Sequence, residues 1–270
     1  MKRAAEYRTR ARCSLSGRYG TMIAAQLING MIISVALCIL IFGIVFATMG
    51  FMVSTFGNGR YSGGTPFSIV LLSIAMAAMF FIVLIAQVLL SCGMLKLACK
   101  AWKQEPATLG DMFYGFKGKA PWRIIGISFL VGILEFVFMI PYQICTFINA
   151  FQGYTSPVIV VLMILTYFLA LAGSAIVSLF FGLSMYVLVD QPEMGAVQCM
   201  KASVRLTKGR RWNLFCLYLS FTGWGILGMM SFGIGMLWIT PYIHCTLFHF
   251  YEDLKLEKEQ QIQAAQTVYN

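Results

Sequence analysis

The sequence predicts an all-α polytopic membrane protein: six transmembrane helices, arranged as three hairpin repeats, with amphipathic helices lying in the cytoplasmic interface. Three observations predict it. Hydrophobic residues make up 59% of the 270 positions and charged residues only 11%, against roughly 45–50% and 25% in a soluble domain. The apolar residues fall in runs long enough to cross a bilayer. The basic residues cluster between those runs on alternate connections. A soluble fold of this size could not hide so much apolar surface, so soluble, disulfide-rich secreted, disordered and fibrous classes are excluded.

The whole of 1–270 reads as one integral membrane domain, opening on a basic arm over 1–20. Residues 21–53 and 66–95 carry no charge and form hairpin 1, within 21–98. The first run is too long for the apolar core of a signal peptide and lacks a convincing cleavage site, so it reads as a retained helix. Residues 124–148 carry one charge, Glu135, and residues 157–189 none. With the segment before them they make an interfacial helix and hairpin 2 over 105–189. Residues 213–251 are too long for one span. The glycine-rich stretch from Gly223-Trp224-Gly225 to Gly233-Ile234-Gly235 divides them into 213–230 and 234–251, so an interfacial helix and hairpin 3 occupy 190–252 and a tail 253–270. A crossing needs about 20 residues at 1.5 Å each, so the longest runs must tilt, kink or protrude. Pro66 and Pro157 open their runs, where a missing amide costs little.

Charge placement orients the chain. The arm carries Lys2, Arg3, Arg8, Arg10, Arg12 and Arg18. The connection after the second run carries Lys96, Lys100, Lys103, Lys117, Lys119 and Arg123, and the one after the fourth carries Lys201, Arg205, Lys208, Arg210 and Arg211. Only Arg60 falls on the other side. The positive-inside rule then places both termini in the cytoplasm of a cell membrane. The net charge of +10 points to the anionic lipids of the cytoplasmic leaflet as partners, not to nucleic acid.

A repeat underlies the hairpins. Gly17-Arg18-Tyr19, Gly118-Lys119 with Trp122, and Gly209-Arg210 with Trp212 each read glycine, basic residue, aromatic, then a membrane run; the glycines stand 101 and 91 residues apart. The glycine ends a surface helix in a left-handed conformation, and the aromatic anchors the next span at headgroup depth. These elbows are read first as structural; a docking surface for a cytoplasmic partner or a lipid headgroup is the second reading. Two preceding segments look amphipathic. Met194, Val197, Met200 and Val204 recur at helical spacing between Glu193 and Lys208, with Lys201, Arg205 and Lys208 on another face and an Asp190–Glu193 capping box. Leu109, Met112, Phe113 and Phe116 form a similar stripe, with Thr108 and Asp111 at the cap. Such helices lie in the interface, apolar side down. A second match, Pro141-Tyr142 to Cys145-Thr146 against Pro241-Tyr242 to Cys245-Thr246, is out of register with the glycines and reads as chance or parallel use of a proline kink.

Chemistry-bearing residues are sparse. Eight cysteines are scattered without a C-x-x-C pair and read as packing residues. Glu135 is the one acid deep in a run, about 18 Å past Arg123 along a helix. It is either functional or a protonated, hydrogen-bonded carboxyl. His244, at similar depth, is its most plausible ionisable partner, and the two could relay a proton. Asn29, Gln87, Gln143 and Asn149 are further polar candidates. His249 does not share a face with His244. No zinc, nucleotide or hydrolase motif occurs, so no catalytic, metal or cofactor site is expected.

The C-terminal third carries a resemblance. Lys201-Ala202-Ser203 to Lys208-Gly209 and Trp212 to Phe215, then Leu217 to Ser220 with Gly223-Trp224, then Gly233 to Gly235 with Trp238 and Pro241-Tyr242, closing on Phe250 to Leu254, resembles a bacterial family of uncharacterised proteins, domain of unknown function 975. The likeness is strong over 186–254, and Arg10 to Tyr19 resembles the family's opening. It implies a bacterial multi-pass membrane protein of about six helices and no established activity. A looser likeness to membrane domains attached to glycerophosphodiester phosphodiesterases hints at lipid-related work. The leading functional expectation is non-enzymatic binding or movement of a small molecule or lipid, or assistance to a transport assembly. The alternative is a structural or partner-binding protein acting through its basic cytoplasmic helices; an intramembrane enzyme comes third. A transporter should show a polar cavity reaching Glu135. A partner-binding protein should show a filled core and an exposed cytoplasmic patch. Oligomeric state is not readable.

Overall fold

The computed structural model describes residues 4–17, 19–56, 65–152 and 156–269. Arg18 and Arg60 lie outside them. The described residues are helical throughout, without strands: α1 (Ala4–Leu15), α2 (Tyr19–Phe56), α3 (Thr65–Trp102), a 3-10 helix (Leu109–Phe116), α4 (Ala120–Gln152), α5 (Pro157–Phe181), α6 (Ser184–Asp190), α7 (Ala196–Thr207), α8 (Arg211–Met230) and α9 (Met236–Tyr269). Five of these helices, α2, α3, α4, α8 and the α5–α6 stretch, are long and apolar enough to cross a membrane.

Each expected run lies in a helix, with three corrections. The run 157–189 breaks at Gly182, where a Cβ would stand 2.8 Å from the Tyr218 hydroxyl and 2.3 Å from the Ser178 carbonyl oxygen. The segment read as helical from Glu193 begins only at Ala196. The last run does not stop at 251: α9 continues through the polar tail to Tyr269. Its apolar part, Met236 to Tyr251, is about 24 Å long at 1.5 Å per residue, short of a hydrocarbon core of about 30 Å. Ser156 caps α5 by accepting from the Ile159 amide, and Pro157 occupies the first helical position.

The three elbow glycines behave as their sequence context requires. Gly17, Gly118 and Gly209 have φ of 79°, 58° and 86°, and each separates a short helix from a long one. A Cβ at any of them would meet nothing within 4 Å. The demand is therefore for left-handed backbone, not for space. Gly233 makes the same turn at the other end of α8, where its amide donates to the Gly228 carbonyl at 3.1 Å.

Consecutive long helices pack in pairs: α2 on α3, α4 on α5, and α8 on α9. The ends of α1 and α3, the starts of α4 and α8, and the middle of α9 meet at one end, together with α6, α7 and the 3-10 helix. Almost all the buried side chains are there. Leu89 to Ala101, Ile124, Ile127, Leu183 to Val189, Leu214, Leu217 and Phe248 to Leu254 belong to one core. Phe248 stacks on Trp102 at 5.9 Å and meets Tyr186 edge-on at 4.8 Å. Cys92, Cys99, Cys199 and Cys245 are buried in the same core as packing residues, whereas Cys13, Cys38 and Cys216 are exposed. Away from this end the helices expose apolar side chains, among them Phe46, Phe129, Phe147 and Phe168. Surface that faces hydrocarbon needs no protein cover.

Candidate functional site

The packed end is also the basic end, and acids from α9 and α6 hold it together. Asp190, at the end of α6, has a side chain only 6% exposed and receives Lys103 at 2.8 Å and Lys255 at 2.9 Å. Tyr251 donates its hydroxyl to the same carboxylate at 3.2 Å. One acid thus ties α3, α6 and α9. Trp102 Nε1 donates to Glu252 at 2.8 Å. Arg210 grips Glu257 through Nε and Nη2 at 3.2 and 2.9 Å, and Arg10 meets Asp253 at 3.5 Å. Lys96 donates to the Val189 carbonyl at 3.4 Å and lies 5.1 Å from the Tyr114 ring centroid. The hydrogen bond from Lys103 to Asp190 holds the lysine above its ordinary pKa.

Asp190 therefore does not cap the next helix with Glu193. The Gln198 side chain takes that place, accepting from the Gly195 amide at 3.1 Å. Local spacing suggested a cap; two lysines from distant segments claim the carboxylate instead. The cap before the 3-10 helix stands as expected. Asp111 accepts from the Thr108 amide and hydroxyl at 2.9 Å each, and from Lys100 at 2.8 Å. Partial burial pushes this carboxyl up, but the Lys100 ammonium and the Thr108 donors outweigh it and hold it below the usual carboxylate range.

Glu135 and His244 are not brought together. α4 packs on α5, whereas α9 packs on α1, α2, α3 and α8. His244 Nδ1 lies 3.0 Å from the Tyr186 hydroxyl, deep in the packed end. His249 faces elsewhere and meets the Ser14 hydroxyl at 2.8 Å. Glu135 sits half-exposed on α4 and makes no hydrogen bond or ion pair with another described residue. Similar depth along the chain does not make two helices neighbours. Of the remaining polar candidates, Asn29, Gln87 and Asn149 each keep a buried side-chain oxygen without a partner, and Gln143 stays near its own helix, with its Oε1 3.4 Å from the Thr146 hydroxyl.

The elbow residues sit at the rim of the packed end. Trp122 and Trp212 are exposed at 81% and 72%, Tyr19 is half-buried and Lys119 exposed, and Arg210 is spent on Glu257. Trp212 stacks on Phe215 at 5.3 Å.

A broad concavity lies beside α7. This helix crosses the ends of α4 and α5. Its small and polar side buries Cys199, Ala202, Ser203 and Thr207, and Ser203 Oγ donates to the Phe180 carbonyl at 2.8 Å. The apolar stripe lines a groove of about 940 Å³ with Leu130 of α4 and Phe181 of α5. Met194, Val197, Met200 and Val204 form its apolar wall; Lys201, Arg205 and Gln198 supply the polar groups. Neither cation has an acidic partner among the described residues. An open apolar channel with two unneutralised cations fits an amphiphile whose charged end is anionic. A smaller groove between α3 and α4 is lined by Gly132, Ile133 and Phe136, so it passes beside Glu135 without including it. Among the described residues no cluster of His, Cys, Asp and Glu could hold a metal.

A family model described as "Protein of unknown function (DUF975)" matches residues 1–258. No curated protein and no solved structure matches the chain.

Proposed function

The chain belongs to this family of unknown function, and from that premise we propose that it is a non-enzymatic multi-pass membrane protein that binds anionic phospholipid at its basic end. In this reading α2 to α9 cross the cell membrane six times as three hairpin units, each entered through a glycine elbow, and both termini are cytoplasmic. The left-handed glycines, the pairing of consecutive helices and the gathering of all three basic segments at one end support the arrangement. Seventeen basic residues against one across the membrane support the orientation.

The α7 groove carries the functional reading. Its apolar wall lies level with the ends of α4 and α5, and Lys201 and Arg205 stand where headgroups would. Each cation near an anionic surface is worth about 1 kcal/mol. Together, at about 2 kcal/mol, they give roughly a thirtyfold preference for anionic over zwitterionic lipid. Native mass spectrometry of the full chain, released from phosphatidylglycerol/phosphatidylcholine vesicles, tests this. The Lys201→Ala/Arg205→Ala variant is expected to lose that roughly thirtyfold preference while keeping its thermal stability, because both side chains are exposed. Unchanged retention would refute the reading.

A partner-binding role is the second reading, favoured by α9 beyond Lys258. There the helix continues, polar and exposed; Ile262, 58% exposed, still borders a cleft with Met194 and Leu206 beside α7.

A further inference from the structure

A separate feature lies on the other side of the α5 end. Two adjacent arginines open α8 and differ in their company. Arg210 is neutralised by Glu257, but Arg211 meets no carboxylate among the described residues. Its guanidinium carbon stands 3.7 Å from the centroid of the Phe180 ring, and its Nε is buried without a partner. A guanidinium presents five donors in a fixed fork. Stacking on a ring uses the face of that fork and leaves the edge donors unfilled.

Below Arg211 runs a slot between α5 and α8. Phe215, Tyr218, Leu219 and Thr222 line it from α8, and Ala175, Ser178, Leu179 and Gly182 from α5. Phe215 and Tyr218 follow Arg211 at helical spacings of four and seven, so the arginine heads the same face of α8. Phe180, under the guanidinium, follows Leu179 in sequence but is not itself a wall residue. The slot holds about 340 Å³, mostly apolar, and opens on the outer surface, where Leu219 is 61% exposed. Gly182 lets α5 pass close to Tyr218; a Cβ there would sit 2.8 Å from the Tyr218 hydroxyl.

We infer that this slot is a binding site for one anionic phospholipid, with its phosphate on Arg211 and one acyl chain along the α5–α8 slot. The charge complementarity commits the site to a lipid instead of a neutral apolar ligand: an unneutralised guanidinium lies one helical turn before Phe215, on the face of α8 that lines the slot. A phosphate oxygen meeting the terminal Nη edge of the fork would accept charge-assisted hydrogen bonds there. The inference rests on the proposed placement of the basic end at the headgroups, but the site is distinct from the α7 groove and fails or stands independently of it.

The test uses the full chain reconstituted in vesicles of phosphatidylglycerol and phosphatidylethanolamine carrying a trace of phosphatidylglycerol with a photoreactive acyl chain. Peptide mapping after illumination is expected to place the crosslink at Phe215 or Leu219. Arg211→Gln is expected to reduce it roughly tenfold. Leu219→Trp, which fills the slot from its exposed side without touching the core, should reduce it equally. Crosslinks in the α7 groove should survive both variants, whereas Lys201→Ala/Arg205→Ala should lose only those. A slot crosslink that persists in Arg211→Gln would overturn the inference. So would equal labelling by a phosphatidylcholine probe, or displacement of the lipid by inorganic phosphate, which would make this a site for a free anion.

Discussion

Gly93→Leu is expected to prevent stable assembly of the basic end. A Cβ at Gly93 would stand 1.7 Å from the Met112 carbonyl oxygen and 2.5 Å from its carbon. The contact is reciprocal, since a Cβ at Gly115 would stand 2.3 Å from the Leu89 carbonyl oxygen. Backbone thus lies directly on backbone where the 3-10 helix crosses α3, and no side chain can rotate away to relieve the overlap. Flanking residues cannot yield either, because Leu89, Leu90, Cys92 and Met94 are all buried. Overpacking a filled core costs about 1–3 kcal/mol, and more when backbone must move. The variant should fall at or beyond the upper end of that range. Thermal unfolding in detergent, followed by size exclusion, reads the loss. Gly110→Ala is the control on the same 3-10 helix: its Cβ would meet nothing closer than the Thr108 hydroxyl at 3.8 Å, and it should unfold like the parent. A Gly93→Leu protein as stable as the parent would show that the two backbones do not touch.

Asp190→Ala is expected to produce the second largest loss. The substitution strips Lys103, Lys255 and the Tyr251 hydroxyl of their shared acceptor. Removing one member of a fully buried ionic cluster costs about 3–5 kcal/mol. Here both lysines keep 36% exposure and can turn toward water, so about 2 kcal/mol is expected, the Tyr251 hydroxyl being the group left worst satisfied. Asp190→Asn, which keeps an acceptor, should lose less. Glu257→Gln supplies the contrast. The Arg210–Glu257 pair is 28% and 42% exposed, and its loss should stay below about 1 kcal/mol. Equal effects of Asp190→Ala and Glu257→Gln on the unfolding midpoint would rule out Asp190 as the hub of α3, α6 and α9.

The contrast between these residues shows what a single sequence discloses. The long apolar helices and the glycine elbows were legible because each has a one-dimensional signature. An uncharged run reports a long apolar helix, and a glycine between an amphipathic stretch and a long apolar run reports its own backbone conformation. Pairings between segments have no such signature. Glu135 and His244 share a depth along the chain, but their helices do not pack together, and His244 turns to Tyr186. Asp190 and Glu193 have cap spacing, yet Lys103 and Lys255, far away in sequence, take the carboxylate. Nothing local to Gly93 announces Gly115. Arg211 was counted only as one charge of a cluster, although Arg210 beside it is paired and Arg211 is not. That difference depends on Glu257, which lies in α9, beyond the whole of α8 in sequence.

The number of crossings turns on α9, whose apolar part is the shortest and carries His244 and His249. With six crossings both ends share one side of the membrane; with five they are opposed. Labelling by a membrane-impermeant maleimide on intact and lysed cells decides between them. One protein would keep Cys13, which is exposed on α1; the other would carry Ala265→Cys, on the exposed outer part of α9, in a background lacking Cys13, Cys38 and Cys216. Both positions are expected to react only after lysis. Reaction at position 265 on intact cells, with Cys13 still protected, would contradict the three-hairpin arrangement.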